Sequence, residues 1–132
     1  MTKENWRKKW LESIYELTNI ELQTLTWLDK TNTNPHWSFI EFTSCYFDDL
    51  LDNCKYENCL SKNFITEIEY NIIKDWHIKL EAYNSPNEDD YDNEAILSDP
   101  KWIEIIEVGR EMKLNLSNIL SEKEKQILQI GV

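Results

Sequence analysis

The chain has 132 residues, a length that fits one domain. It contains only two glycines and three prolines, and so few breaker residues argue against an all-β fold, which needs many turns. The net charge of −11 disfavours nucleic-acid binding, which needs a basic surface. The only basic cluster is Arg7-Lys8-Lys9.

The negative excess lies entirely in the middle of the chain. Residues 1–40 and residues 100–132 each carry five acidic and five basic side chains. Residues 41–99 carry 15 acidic side chains against four lysines, a difference of −11. A field this concentrated attracts basic partners. Solubility alone is the second interpretation of these charges.

The first predicted element is helical, because large apolar residues recur at i+3 and i+4. Residues 4–29 form either one long helix or two short ones broken near Asn19. The capping-box pattern, with Thr18 as N-cap and Glu21 at the third helical position, favours the break.

Asn34 as N-cap and Pro35 at the first helical position predict a second helical segment over residues 36–53. Its aromatic density also suits a strand. We expect a polar loop at residues 53–60, and then a helix capped by Ser61. Its apolar residues recur at helical spacing: Ile65, Ile68, Ile72, Trp76, Leu80 and Tyr83.

Residues 84–90 combine turn residues with acids and mark the clearest break. Asp92 or Asn93 is predicted to cap a short helix that ends near Leu97. The chain therefore enters its last third through an acidic loop.

Asp99 as N-cap and Pro100 at the first helical position predict the next helix. Gly109 lies on its apolar stripe, where glycine costs ~1 kcal/mol of helix propensity, so we expect close packing there. Ser121 opens a final helix that ends near Gln129. The predicted stripe is Trp102, Ile105, Gly109, Met112, Leu116 and Ile119.

These elements predict an all-α fold, a single-domain bundle of about five to seven helices over residues 1–132 with no significant sheet. If residues 36–53 are helical, a rotation of 100° per residue places Glu41, Asp48 and Asp52 on one line opposite the core. Asp49 lies to one side of that line. The candidate binding residues are Glu41, Asp48, Asp49, Asp52, Glu88, Asp89, Asp90, Asp92 and Glu94.

No nucleotide-binding, hydrolase or metalloprotease motif occurs in the sequence. Without an apolar leader at the N-terminus, Cys45, Cys54 and Cys59 indicate free thiols in the reducing cytosol. Cys54 and Cys59 with His36 or His77 would make a widely spaced zinc site, although structural sites favour tighter spacing. We expect no catalytic residues, no metal and no cofactor. His77 is interpreted as a partly buried structural histidine.

Five short runs of residues follow one another along the chain. They are Trp37-Ser38-Phe39-Ile40-Glu41, Tyr46-Phe47-Asp48-Asp49, Trp76-His77 with Leu80 and Tyr83, Tyr91-Asp92, and Ala95-Ile96-Leu97-Ser98-Asp99-Pro100-Lys101-Trp102. Their combination resembles one helical branch of the bacterial contact-dependent growth inhibition immunity proteins, over about residues 27–128.

The resemblance implies a cytosolic antitoxin that binds, one to one, the toxic C-terminal domain of a delivered effector, frequently an RNase or DNase. The charge excess independently predicts a basic protein partner and argues against nucleic acid, and no apolar run of the sequence is long enough for a membrane span. The resemblance carries over no toxin-binding residues. Much of the pattern has a structural interpretation, since Trp37, Phe47 and Trp102 are large enough for the core.

Two other classes of function stay open at this point. An acidic nucleic-acid mimic or adaptor would bind a different basic protein. A small helical enzyme would use Cys45 or His77.

Overall fold

The computed structural model describes residues 1–29, 37–51 and 55–131. These ranges contain eight α-helices and no strand, so the all-α prediction is confirmed and the helix number slightly exceeds the predicted five to seven. None of these helices has the length and apolar character needed to cross a membrane. The helices are α1 (Lys3–Leu17), α2 (Ile20–Trp27), α3 (Phe39–Ser44), α4 (Glu57–Ser61), α5 (Glu67–Glu81), α6 (Asn93–Leu97), α7 (Pro100–Ser117) and α8 (Glu122–Ile130).

The first helical segment is broken where the sequence favours a break, but a different residue caps the second helix. Asn19 is the N-cap of α2, and its Oδ1 accepts a hydrogen bond from Leu22 N at 3.0 Å. Thr18 ends α1, and its hydroxyl donates to Ile14 O at 2.6 Å. The Thr18 prediction was wrong because that side chain is buried and its hydroxyl turns back to the preceding helix.

The second predicted segment begins later than expected and changes its winding. Ser38 is the N-cap of α3, accepting from Glu41 N at 3.2 Å, so the helix begins at Phe39. The predicted caps Asn34 and Pro35 lie outside the described residues. After α3 the chain continues as a π-helical turn, Cys45–Leu50. Its wider turn replaces the 100° rotation used to align the carboxylates.

The predicted polar loop at 53–60 is partly helical, because α4 buries Cys59 and Tyr56 packs just before it. Ser61 ends α4 and does not cap α5. The N-cap of α5 is Thr66, which forms a reciprocal capping box with Glu69. The five-residue shift in the helix start accompanies the burial of Tyr56 and Cys59.

The core is built around α1, which packs against α8, α3 and the π-helical turn. Helix α5 packs on α7, and α2 packs on α6. Trp10, Tyr46, Trp76 and Trp102 are fully buried, so aromatic side chains supply most of the large apolar contacts. Ile68 and Ile119, both predicted to be buried, are exposed at the edges of their helices.

One ion-pair cluster that sequence analysis missed joins three helices. Arg7 on α1 donates to Glu69 Oε1 and Oε2 at 2.9 and 2.6 Å, and to Glu124 Oε2 and Oε1 at 2.7 and 3.2 Å. It also donates to Phe64 O at 2.9 Å, so all five of its N–H groups are used. Burial by itself would raise the pKa of Glu69, but the Arg7 hydrogen bonds lower it.

The last third follows the sequence prediction closely. Asp92 caps α6 by accepting from Ala95 N at 3.1 Å. Asp99 caps α7, with Pro100 in the first turn. Ser121 caps α8, which ends at Ile130. These caps fix the start of each helix that borders the acidic loop or closes the bundle.

Candidate functional site

The two longest stretches of sequence without a single Lys or Arg both carry acids. One runs between Lys30 and Lys55, and the other between Lys79 and Lys101. Within the second stretch, residues 88–94 run from an exposed turn into the first turn of α6, and we call this segment the acidic loop. The carboxylates of the acidic loop are Glu88, Asp89, Asp90, Asp92 and Glu94.

One hydrogen bond joins the acidic loop to the start of α3. Phe39 N donates to Asn93 Oδ1 at 3.2 Å. The Phe39 ring packs edge-on against Trp102 and Tyr83, with ring centroids 5.4 and 5.9 Å away. Glu41, in the first turn of α3, therefore lies at the same end of the molecule as the acidic loop.

The acidic loop is held by its own carboxylates. Ser85 Oγ donates to Asp90 Oδ1 at 2.5 Å, and Tyr91 N donates to Asp89 Oδ1 at 3.0 Å. Asp92 is the N-cap of α6. Glu88 and Glu94 accept no hydrogen bond from the described part of the chain and are exposed. These two carboxylates are the ones that a partner would meet first.

Asp48 and Asp49 are exposed on the π-helical turn but lie away from the acidic loop. They follow Phe39 by nine and ten residues, about two helical turns further along the segment. Asp49 instead lines a shallow depression with Met1 and Glu16. Asp52 lies outside the described residues. The structure thus brings Glu41 towards the acidic loop and places Asp48 and Asp49 elsewhere.

Cys45 lies among carboxylates, which bears on its reactivity. Burial raises the pKa of the Cys45 thiol, and the charges of Asp49, Glu16 and Glu41 raise it further. Burial and then the charge of Glu12 raise the pKa of Glu16 to about 7. A thiol nucleophile needs a lowered pKa, usually from nearby positive charge. The surroundings of Cys45 therefore disfavour the thiolate that nucleophilic catalysis requires.

His77 is buried in a hydrogen-bonded group, as expected for a structural histidine. Its Nδ1 lies 2.9 Å from Tyr46 Oη, and its Nε2 lies 3.4 Å from a carboxylate oxygen of Glu81. Tyr46 Oη is 2.5 Å from Tyr56 Oη, which accepts from Trp10 Nε1 at 3.0 Å. These contacts explain His77 as a tie between α5, the π-helical turn and α1.

The zinc site considered from the sequence would use Cys54 and Cys59 with His36 or His77. Cys54 and His36 lie outside the described residues. Cys59 is buried, and its Sγ lies 3.9 Å from Leu50 O. Among residues 1–29, 37–51 and 55–131, no group of three or more His, Cys, Asp or Glu side chains has a geometry that could hold a metal.

A groove of about 800 Å³ lies between α1 and α8, and its lining includes Lys3 and Lys8. Arg7 lines it too, but all of its donors are used within the protein. Lys123 faces Glu4 at 3.7 Å. Arg7 and Lys123 are thus already paired with carboxylates, and Lys3 and Lys8 are the remaining cations of the lining.

Two large aromatic side chains are exposed near the acidic loop. Tyr91, within the loop, is 83% exposed, and Trp37, just before α3, is 41% exposed. The prediction of a core Trp37 was wrong, because Ser38 caps α3 and leaves Trp37 outside the first turn. A capping signal in the sequence, Ser38 followed by Glu41 three residues later, indicates that Trp37 lies before the helix. Trp102 is fully buried, and Phe47 is partly buried against the core.

Comparison of the chain with models of known protein families, with curated proteins and with solved structures finds no match. The function is therefore inferred from the residues of the chain itself.

Proposed function

We propose that this chain is an immunity protein, an antitoxin that binds and neutralises the toxic C-terminal domain of a contact-dependent inhibition effector. The toxic domain is a nuclease with a basic phosphate-binding site. The complex is one to one and forms in the cytoplasm. The chain acts by occupying that site and carries out no reaction itself.

The observation that carries this proposal is the acidic loop with its surroundings. No Lys or Arg occurs between Lys79 and Lys101, while seven acidic side chains do. Charges of one sign on a surface steer association with an oppositely charged partner and reject like-charged ones. Carboxylates also form strong paired hydrogen bonds with arginine, a residue suited to phosphate sites.

The acidic loop is organised before any partner binds. Asp89 accepts a hydrogen bond from Tyr91 N within the loop, Asp92 accepts one from Ala95 N in α6, and Asp90 accepts one from Ser85 Oγ, three residues before the loop. A loop that is already ordered loses less conformational entropy on association. This favours a binding function for Glu88 and Glu94, whose carboxylates are not used in holding the loop.

The resemblance to immunity proteins supplies the class of partner. Two of the runs that carry it, those beginning at Trp37 and Tyr91, lie at the end of the molecule that holds the acidic loop. Two others contain Trp76 and Trp102, which are core residues. Two of the five runs thus lie beside the acidic loop.

The test is protection of cells that express the C-terminal domain of the effector encoded beside this chain. We expect the unmodified chain to restore growth and to co-purify with that domain. The Glu88→Lys/Glu94→Lys variant should lose protection, because it reverses two exposed carboxylates that accept no hydrogen bond from the described residues. The matched control is Glu107→Lys/Glu111→Lys on α7, which makes the same change in net charge at exposed positions.

Protection that survives the loop variant and is lost in the α7 control would contradict the assignment of the surface. No protection by the unmodified chain would contradict the immunity function. Binding to a basic DNA-binding protein without binding to the effector domain would instead support the nucleic-acid-mimic alternative.

A further inference from the structure

We propose that Tyr91 and Trp37 are the anchors of the partner interface, inserting into apolar pockets on a basic protein surface while the surrounding carboxylates pair with its Lys and Arg side chains. This inference rests on the proposed function and assigns its binding energy to two residues. The acids then govern how fast the complex forms, and the aromatic side chains govern how long it lasts.

The first support is the exposure of the two side chains. Tyr91 leaves 83% of its surface in water and Trp37 leaves 41%, although the other tryptophans of this chain are buried. Large aromatic side chains cost free energy when left in contact with water. Trp and Tyr are also the residues most enriched among interface side chains that dominate affinity.

The second support is their position. Trp37 precedes Phe39 by two residues, and Tyr91 precedes Asn93 by two residues. Because Phe39 N donates to Asn93 Oδ1 at 3.2 Å, both aromatic side chains begin within roughly 7 Å of chain from one hydrogen bond. Two anchors at this spacing fit within a single protein interface, whose typical side is about 800 Å².

Two exposed leucines widen the apolar area. Leu25 and Leu28 lie three residues apart at the end of α2 and share a face. Helix α2 packs on α6, and Trp27 beside Leu28 packs edge-on against Phe39, with ring centroids 6.1 Å apart. The end of α2 therefore borders the same surface, which joins an apolar centre to an acidic edge.

Charge complementarity selects the partner. Five carboxylates of the acidic loop surround Tyr91, and no Lys or Arg lies between Lys79 and Lys101. A second copy of this chain would present the same negative charge to this surface and be repelled. A membrane rich in anionic lipids would be repelled for the same reason. The partner that fits is a basic protein with apolar pockets among its cationic residues.

The experiment measures association and dissociation rates of the effector C-terminal domain on the immobilised full chain. Tyr91→Ala should weaken binding about 30-fold, the effect of a dominant interface residue, and should raise koff while leaving kon nearly unchanged. Trp37→Ala should act in the same direction. Glu88→Lys/Glu94→Lys should instead lower kon.

Ile68→Ala on α5 and Leu114→Ala on α7 are the matched controls, since these side chains are 65% and 68% exposed. They should leave both rate constants unchanged. Thermal melting of every variant checks folding, and Tyr91→Ala retains the backbone hydrogen bond to Asp89. Unchanged binding of the Tyr91 and Trp37 variants would overturn this inference and leave the immunity function standing. Absence of binding by the unmodified chain would overturn both.

Discussion

Gly109 shows how one residue sets the distance between three helices. A Cβ at this position would lie 2.5 Å from Thr18 Cγ2 and 2.7 Å from Trp76 Nε1. Replacing an exposed helical glycine by alanine gains ~1 kcal/mol, but the crowding here reverses the sign. We expect Gly109→Ala to destabilise the fold by about 1–3 kcal/mol, the usual cost of overpacking.

Urea unfolding measures this prediction through the transition midpoint. Asn115→Ala, an exposed change on the same helix, serves as control and should leave the midpoint unchanged or raise it. A Gly109→Ala midpoint equal to or above that of the unmodified chain would show that α7 and α5 do not approach as closely as the structure has them.

Single residues were predicted well where the local sequence decides the outcome. Asp99 followed by Pro100 predicts a helix start, and the structure confirms it. Thr18 and Ser61 also match capping patterns, but each ends a helix. Which of several nearby polar residues becomes the N-cap depends on which neighbouring side chains are buried. That burial depends on contacts distant in sequence.

At the scale of the element, ionisation of Glu16 on α1 lowers the stability of the folded chain in a pH-dependent way. Burial and the charge of Glu12 raise its pKa from 4.5 to about 7. Below pH 4.5 the carboxyl is protonated in both the folded and the unfolded chain. Between pH 4.5 and 7 only the folded chain keeps the proton, so stability falls as pH rises, and above pH 7 the penalty is complete.

Glu16→Gln should therefore raise Tm at pH 8 by a few degrees, which corresponds to about 1 kcal/mol for a domain of this size. The gain should vanish near pH 4, where the carboxyl is neutral in both states. Glu104→Gln, a change at an exposed carboxylate on α7, is the control and should show no such pH dependence. An equal Tm gain at both pH values would contradict the ionisation account.

The long helices were predictable from apolar periodicity, and the short or irregular elements were not. Helices α5 and α7 bury side chains at i+3 and i+4 over four turns or more, which is a strong signal. Helix α4 has five residues, too few for a period to show. The π-helical turn leaves no composition signal, and it displaces Asp48 and Asp49 from the predicted line.

The Arg7 cluster was also beyond sequence analysis, because its partners lie 62 and 117 residues away. At the scale of the whole molecule the same limit applies to the candidate site. The acids of residues 88–94 were identified from composition alone. Their grouping with Trp37 depends on the hydrogen bond between Phe39 and Asn93, which joins segments 54 residues apart.

The excess negative charge is confined to one part of the sequence, and on the folded molecule it lies on more than one surface. The segments at either end are neutral and supply α1, α7 and α8 to the core, while the middle carries the whole excess of −11. Part of that excess lies on the acidic loop and part on the π-helical turn. The acidic loop is the better candidate because it borders the exposed aromatic side chains of Tyr91 and Trp37, whereas the aromatic side chains of the π-helical turn, Tyr46 and Phe47, are buried or partly buried.

The salt dependence of association with the effector C-terminal domain tests the central claim most directly. Electrostatic steering by the acidic loop predicts that kon falls steeply as NaCl rises from about 50 to 500 mM, over which the Debye length shortens several-fold. The slope should flatten in Glu88→Lys/Glu94→Lys and persist in Glu107→Lys/Glu111→Lys. A kon that is independent of salt, or a slope that the loop variant leaves unchanged, would contradict the account.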